Sequence, residues 1–427
     1  MTPLAVSRRG FIRTVTGGAV GGAVLYAFPE DARAKYILAL DQSVDGEDEA
    51  FWRFVRTQFP LSRDVTYLNN GTMGVSPFVV IDAVRAELED VDSHGRYGGW
   101  EDVRPKLAAL AGASVEEISL THNVTEGICV VAAGLPLKRG DEVILTDHEH
   151  AGNAIPWLAR ARRDGIVIRY FSPARQAAVT LERIEALINS RTRVIAVPHI
   201  TCTTGQVLPG REISRLGREK GIWVMLDAAH TPGMMPLDVK ALGCDFLATC
   251  GHKWLLGPKG TGFLYVRREL AELLEPHWVG GGVDTGWDVR KGTLTLRTDA
   301  HRFDFATQSS ALYVGLGAAV DFIHNLGQEN VTRRGRVLAN RLRVRLAELG
   351  DRVEILTPSE EGGYGSVLGF RLKNYPFDKL QQLLYEKHHI VTRAVPENGL
   401  NSNRISMHCY NTPAEVDLVA DVIRTVA

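Results

Sequence analysis

The sequence has little of what a disulfide-bonded or metal-binding protein needs. Only five of its 427 residues are cysteines, and that number is odd. Their spacing is not that of a metal site. Most of them lie in apolar segments, so we expect buried free thiols rather than a disulfide framework. The five are Cys129, Cys202, Cys244, Cys250 and Cys409.

A strong net charge is also lacking. The 49 basic and 50 acidic residues leave a formal net charge of −1, and 45% of the residues are hydrophobic. This is ordinary globular composition, and it argues against a nucleic-acid partner. Arginines cluster between positions 333 and 345, where leucines recur at helical spacing. That pattern predicts a helix with a solvated basic face.

No apolar run is long enough to span a bilayer. The run Val15–Phe28 has about 14 residues, against the roughly 20 that a spanning helix needs. A twin-arginine pattern, Arg8-Arg9-Gly10-Phe11, precedes it, and Ala32-Arg33-Ala34 follows it as an A-x-A cleavage site. These elements predict a signal peptide at 1–34, the twin-arginine translocase as a partner, and export to the periplasm.

From residue 117 onward, short apolar runs alternate with helical patterns. Seven strands in this order predict an α/β fold with a mostly parallel sheet. The predicted strands are 117–121, 142–147, 166–171, 193–199, 222–227, 245–249 and 262–266. We expect a large domain at 76–310. A smaller α+β domain is expected from 35–75 and 311–427, and the stretch 275–310 is Gly-rich and predicted to be irregular.

Two of these strands each deliver a charged group at the carboxyl end. Asp227 ends one strand, and Lys253 follows the next. Ligands bind at that edge of an open α/β sheet. A lysine that forms a Schiff base and an acid that partners the pyridinium nitrogen are what pyridoxal 5'-phosphate (PLP) requires. The alternatives are a turn-capping Asp227, a surface Lys253, and Lys259 as the reactive lysine in place of Lys253.

The residues around this pair resemble the class V aminotransferase family of PLP enzymes. The family includes cysteine desulfurases, kynureninases and isopenicillin-N epimerase. The resemblance rests on three motifs and implies PLP fold type I. Two sequence motifs are similar to those of the epimerase-like branch. They are Asp-x-Ala-His-x-Pro-Gly-Met, which starts at Asp227, and His-Lys-Trp-Leu, which starts at His252. The motifs are Asp227-Ala-Ala-His230, Gly251-His252-Lys253-Trp254 and Gly257-Pro258-Lys259-Gly260-Thr261-Gly262.

The resemblance also implies positions that contact the cofactor. Thr125 and Glu126 lie in a strand-to-helix turn that holds the phosphate in this family, although such residues are more often simple helix caps. His150 matches the ring that stacks on the pyridine and is assigned a catalytic role with Lys253 and Asp227. The other matched positions are His230 near the phenolic oxygen, and Cys250 and His252 near the phosphate.

Two further positions concern the substrate and a second subunit. Arg404 matches the arginine that binds the substrate α-carboxylate, and a planar guanidinium suits a carboxylate. A surface arginine is the alternative. Thr307, in Phe305-Ala306-Thr307-Gln308, resembles a segment that reaches the phosphate of the neighbouring subunit. The resemblance therefore implies a homodimer with shared sites.

The reaction is less determined than the cofactor. Transamination, epimerisation, β-elimination and decarboxylation share these parts. The stretch 392–399 contains no cysteine, so desulfuration through a persulfide relay is disfavoured. An aminotransferase or epimerase is expected, with a C–S lyase as the alternative and a non-enzymatic PLP-fold binding or regulatory protein as a third reading. The chain also resembles a periplasmic family member that tailors the glutamyl side group of the siderophore pyoverdine, so a peptide-linked amino acid is an expected substrate.

Overall fold

The computed structural model describes residues 44–96, 102–360 and 362–427. The predicted signal peptide, 1–34, lies outside the described residues. None of the helices in the described ranges is both long and apolar enough to cross a bilayer.

The strands are short, with two to seven residues each. In chain order they are β1 Thr66–Tyr67, β2 Ile118–Thr121, β3 Glu142–Thr146, β4 Val167–Phe171, β5 Thr192–Pro198, β6 Trp223–Asp227, β7 Phe246–Cys250, β8 Gly262–Val266, β9 Asp284–Asp288, β10 Thr293–Leu296, β11 Val353–Ile355, β12 Val367–Leu372, β13 Ile390–Val391, β14 Arg393–Val395 and β15 Ser402–Ser406.

The α-helices lie between and around these strands. In chain order they are α1 Glu49–Arg56, α2 Phe78–His94, α3 Val103–Ala111, α4 Val124–Gly134, α5 Ala151–Asp164, α6 Ala177–Glu185, α7 Gly210–Lys220, α8 Val239–Leu242, α9 Ser310–Leu326, α10 Gln328–Ala347, α11 Phe377–His388 and α12 Pro413–Arg424.

Seven strands form one large sheet in the order β2-β8-β7-β6-β5-β3-β4. Six of the seven strands run in one direction and only β8 runs the opposite way, so the predicted mostly parallel seven-stranded sheet is confirmed. Alternate residues of each strand pack into different clusters. Ile195 and Leu226 face one cluster, and Val194 and Met225 face the other. Both faces are therefore covered, as the continuous apolar runs require.

Strand direction determines where the site lies. Strands β3, β5, β6 and β7 pair in parallel. Strand β2 runs the same way, because β8 is antiparallel to both β2 and β7. The segments after these strands therefore meet at one edge of the sheet, where open α/β sheets bind ligands.

A second, antiparallel sheet has the order β11-β12-β15-β14. The short strand β1 pairs with β13, and Asn69 bridges to Ser406 at the end of β15. The segment after β1 is thereby held against the antiparallel sheet. The stretch predicted to be irregular contains the hairpin β9–β10. Helix α9 begins at the predicted domain boundary and packs on α2 of the large unit. The domain limits themselves remain predictions.

The basic helix α10 differs in part from its prediction. Arg334 is fully buried rather than solvated. Its guanidinium forms an ion pair with Glu49 and lies 5.6 Å from the centre of the Trp52 ring. Arg341 and Arg345 do face outward, and they pair with acids of α12. One face of this basic helix therefore joins the N-terminal and C-terminal segments of the described chain.

Candidate active site

Asp227 and Lys253 lie on adjacent strands of the large sheet. Asp227 ends β6, and Lys253 follows the end of the neighbouring strand β7 by three residues. Both are buried, at 5% and 7% exposure. Burial raises the pKa of Asp227, while the Ala229 N–H, 2.9 Å from Oδ1, and the nearby charge of Lys253 act in the opposite direction. The structure thus brings the predicted acid and lysine together.

The imidazole of His230 lies between the side chains of Lys253 and Trp254. Its Nε2 is 3.2 Å from Lys253 Nζ, and its Nδ1 accepts a hydrogen bond from Trp254 Nε1 at 3.0 Å. Burial first, and then the positive charge of Lys253, hold the pKa of His230 well below its usual value. The imidazole is therefore neutral.

The backbone around Lys253 is fixed by the segment that follows β1. The amide of Asn70 donates to the Lys253 carbonyl at 3.4 Å, and the Gly74 N–H donates to the His252 carbonyl at 2.7 Å. A Cβ at position 74 would lie 2.0 Å from the Lys253 carbonyl oxygen, so only glycine fits there. Leu256 has a φ of 61°, a strained value for a branched residue. These contacts position the lysine loop.

Thr125 and His150 begin two neighbouring helices at the same edge. A Cβ added at Gly152 would lie 2.6 Å from Thr125 Oγ1 and 3.1 Å from His150 Nδ1, so both side chains line one cradle. The His150 ring caps α5, since Nδ1 accepts from the Gly152 N–H at 3.0 Å. Partial burial, followed by the charges of Lys253 and Arg393, lowers the pKa of His150 to about 4.

Glu126 is turned away from that cradle. Its carboxylate accepts from the backbone N–H of His122 at 2.6 Å and contacts the His122 ring at 2.7 Å. Its own N–H donates to Asn123 Oδ1 at 3.0 Å. Glu126 thus acts here as part of a helix cap, and its assignment as a cofactor contact stays a prediction.

The polar side chains close to Lys253 in the sequence differ in their hydrogen bonds. Cys250 is buried, and its thiol is 3.8 Å from the Ala229 carbonyl. Burial raises the pKa of that thiol to about 11. His252 has a buried Nδ1 with no hydrogen-bond partner in the described residues. Lys259 donates to the Gly74 carbonyl at 3.1 Å and lies in an exposed turn. Lys253, rather than Lys259, is therefore the lysine next to Asp227.

Arg404 is a buried cation held by neutral groups. Its Nη1 donates to the Cys202 carbonyl at 2.6 Å, and its Nη2 donates to Thr72 Oγ1 at 2.9 Å and Asn69 Oδ1 at 3.2 Å. Its Nε is buried without a partner among the described residues. Burial, and then the charge of Arg393, lower the pKa of Arg404 to about 10. A buried guanidinium with an unused N–H is a binding group for a carboxylate.

The chain is similar to known proteins over most of its length. A family model described as aminotransferase class V matches residues 91–419. The chain belongs to this family. It is 31% identical over 395 residues to a probable cysteine desulfurase of Methanothermobacter thermautotrophicus, covering 87% of this chain and 97% of that protein. It is likewise 31% identical over 396 residues to the isopenicillin N epimerase of Streptomyces clavuligerus, covering 88% and 98%.

Solved structures of family members agree in fold. The complex of the cystine C–S lyase C-DES with its product cysteine persulfide has a TM-score of 0.78 at 28% identity, and the match covers 86% of this chain and 99% of that one. A mutant of the same lyase holds glycine covalently linked to the PLP cofactor. The protein is therefore a PLP-dependent enzyme of the class V aminotransferase family with PLP fold type I.

The residues present fit PLP. The buried acid Asp227 can hold a proton on the ring nitrogen, and Lys253 supplies the amine for the covalent bond. The cradle beside Gly152 presents the Thr125 hydroxyl at a helix N-terminus, which suits a phosphate. The unpaired Nδ1 of His252 adds a further polar atom near the lysine.

Some residues of the site were missed from the sequence. Arg393 lies directly opposite Arg404 on the adjacent strand, so the two share one face of the small sheet, and Arg393 pairs with Glu397. Arg393 could be placed beside Arg404 only by knowing that β14 pairs with β15. Thr307 is exposed, and no contact joins it to Lys253 within the described chain. Its proposed role in a second subunit stays a prediction.

Proposed function

We propose that this enzyme acts at the α-carbon of an amino acid or a peptide-linked amino acid, as an aminotransferase or an epimerase. The observation that carries the proposal is the arrangement of Lys253, Asp227 and Arg404 around one edge of the sheet. Bound PLP would supply an electron sink for the electrons left at the α-carbon. Lys253 Nζ would remove or return the α-proton, Asp227 would keep the ring nitrogen protonated, and Arg404 would hold the α-carboxylate.

The second candidate is a C–S lyase. It is supported by the similarity to a cystine C–S lyase and to probable cysteine desulfurases. The stretch 392–399 has no cysteine to accept sulfur, so this activity would release its sulfur product rather than relay a persulfide. The absent thiol disfavours only the persulfide relay. The epimerase or aminotransferase stands first because the motifs around Asp227 and Lys253 are similar to the epimerase-like branch.

Hydrogen exchange at the α-carbon separates these reactions. The purified enzyme would be incubated with single amino acids and with siderophore precursor peptides in deuterated water, with and without a keto acid. Epimerisation gives deuterated substrate of both configurations, and transamination requires the keto acid. A lyase releases a sulfur product and pyruvate from cystine. If no substrate exchanges its α-hydrogen and none loses sulfur, the proposed chemistry is wrong.

We also propose that the enzyme is exported through the twin-arginine pathway and works in the periplasm, where siderophore or other peptide tailoring is its role. The support is the twin-arginine pattern and the A-x-A site, Ala32–Ala34. Replacing both Arg8 and Arg9 by Lys should leave the protein in the cytoplasm with PLP bound. An unchanged periplasmic signal in fractionated cells would contradict the proposal.

A further inference from the structure

Trp254, His230 and Lys253 form a chain of contacts in which the donor of each hydrogen bond can be assigned. Trp254 is 1% exposed, and its Nε1 donates to His230 Nδ1 at 3.0 Å. An indole N–H can only donate, so His230 Nδ1 must accept. A neutral imidazole has one donor and one acceptor nitrogen, and the proton of His230 therefore resides on Nε2. That N–H faces Lys253 Nζ at 3.2 Å.

The neutral state of His230 is supported by its surroundings. It is buried, and the basic side chains of Lys253, from the β7 loop, and of Arg404 and Arg393, from the small sheet, act against a second proton on the ring. Protonation of His230 is therefore disfavoured on every side. The contact between His230 Nε2–H and Nζ is then a hydrogen bond only when Nζ offers a lone pair.

Trp254 is itself oriented from outside the site by His408. The Cys409 N–H donates to His408 Nδ1 at 2.8 Å, so His408 Nε2–H donates to the Trp254 carbonyl at 3.0 Å. The two rings stack with centroids 5.6 Å apart and an angle of 27°. The indole therefore cannot rotate without breaking contacts to the segment after β15. Its N–H is aimed at His230 by the fold.

We propose that Trp254 is a positioning residue that fixes His230 as the Nε2–H tautomer, so that a hydrogen-bond donor faces Lys253 Nζ. This inference rests on the proposed assignment of Lys253 as the lysine that binds PLP. If PLP binds here, Lys253 would supply the amine that condenses with the cofactor aldehyde, with loss of one water made from the aldehyde oxygen and two amine protons.

The tautomer can be measured without cofactor. Full-length protein stripped of PLP and labelled with ¹⁵N-histidine would give the His230 nitrogen shifts, with His230→Asn used for assignment. We expect a protonated Nε2 and an unprotonated Nδ1 in the wild type. In Trp254→Phe the ring and its stacking are kept but the N–H is lost, so Nε2 should shift toward the unprotonated value. A wild-type protein with the proton on Nδ1, or a Trp254→Phe protein with unchanged shifts, would overturn the proposal.

The rate at which apoprotein captures PLP gives a second readout. In Trp254→Phe, Nε2 is no longer held as a donor toward Nζ, so capture should slow roughly tenfold, as expected for the loss of one buried hydrogen bond. Asp227, His252 and Cys250 also face Nζ and are unchanged in this variant.

Trp52→Phe is the matched control. Trp52 is also 1% exposed, and its Nε1 donates to the Asp45 carbonyl at 3.0 Å, in a cluster outside the site. This variant loses the same kind of buried bond but should capture PLP at the wild-type rate. Equal slowing in both variants would overturn the proposal. If PLP proved to be attached at another lysine, the assignment of Lys253 would fail, while the tautomer measurement would still stand or fall separately.

Discussion

Buried charged residues at the site are costly for the fold. Arg404 is 1% exposed and forms no ion pair within the described chain, and Asp227 is 5% exposed. An isolated charge in a protein interior costs several kcal/mol unless it is compensated by hydrogen bonds or an opposite charge. The neutral groups around Arg404 offset only part of this cost. A bound carboxylate would offset more of it.

The arginine gives the first prediction. Arg404→Gln should raise the KM for the amino acid substrate by roughly 10- to 150-fold, because a charged hydrogen bond is worth about 1.5–3 kcal/mol. The kcat should change less, since the carboxylate is bound equally in the ground state and the transition state. Steady-state kinetics at varied substrate concentration would measure both.

A surface arginine serves as the control for that measurement. Arg341 pairs with Asp417 at an exposed position between two helices, so Arg341→Gln should leave both kinetic constants unchanged. A fall in kcat with no change in KM in Arg404→Gln would contradict the carboxylate assignment.

Some site residues were predictable because they follow strands. Asp227 ends one strand and Lys253 closely follows the next, so a pattern of apolar runs was enough to bring them together. Trp254 and Arg393 could not be assigned in this way. The role of Trp254 depends on which nitrogen of His230 it reaches, and that of Arg393 depends on the pairing of β14 with β15.

At the scale of elements, the buried strands were the predictable part. Each of the seven large-sheet strands was found within one residue of its predicted ends, because turn residues bound each run and all but the edge strand β4 are buried. The hairpin β9–β10 was missed. Its residues are mostly exposed and glycines lie nearby, and the Thr-Leu alternation of β10 covers only four residues, which is too short to indicate a strand.

The packing of helix α9 on α2 gives the second prediction. A Cβ at Gly315 would lie 2.4 Å from Val84 Cγ2 and 2.8 Å from Pro258 Cγ, in the loop that follows Lys253. Gly315→Ala should lower the free energy of unfolding by about 1–3 kcal/mol, since overpacking outweighs the better helix propensity of alanine. Urea unfolding followed by circular dichroism would measure it.

Gly317 offers the comparison on the same helix. Its added Cβ would be 3.4 Å from Val103 Cγ2, which is ordinary contact. Gly317→Ala should therefore leave stability unchanged or raise it by up to about 1 kcal/mol. Equal destabilisation by both substitutions would show that α9 does not pack as described.

At the scale of the whole molecule, the hairpin region presents large apolar side chains to solvent. Trp278, Trp287, Val289 and Leu294 are 68%, 67%, 80% and 55% exposed. Groups of exposed apolar residues mark interaction sites. We propose that a second copy of the chain covers them, consistent with the proposed placement of Thr307 near a neighbouring subunit's phosphate site.

Light scattering gives the third prediction. The wild type should be a dimer, and Trp287→Ser should shift it toward monomer and weaken PLP retention. Tyr385→Ser is the control, because Tyr385 is 58% exposed on α11 and should not affect assembly. An active, PLP-loaded wild-type monomer at assay concentration would contradict the shared-site proposal.

The identity of the PLP-binding lysine tests the central claim most directly. Borohydride reduction of the holoenzyme, followed by peptide fragmentation in a mass spectrometer, locates the attached pyridoxyl group. The group should be on Lys253, which lies beside Asp227 and His230, and Lys253→Ala should lose the label and all turnover. A label on Lys259, whose Nζ contacts the Gly74 carbonyl instead, would contradict the account.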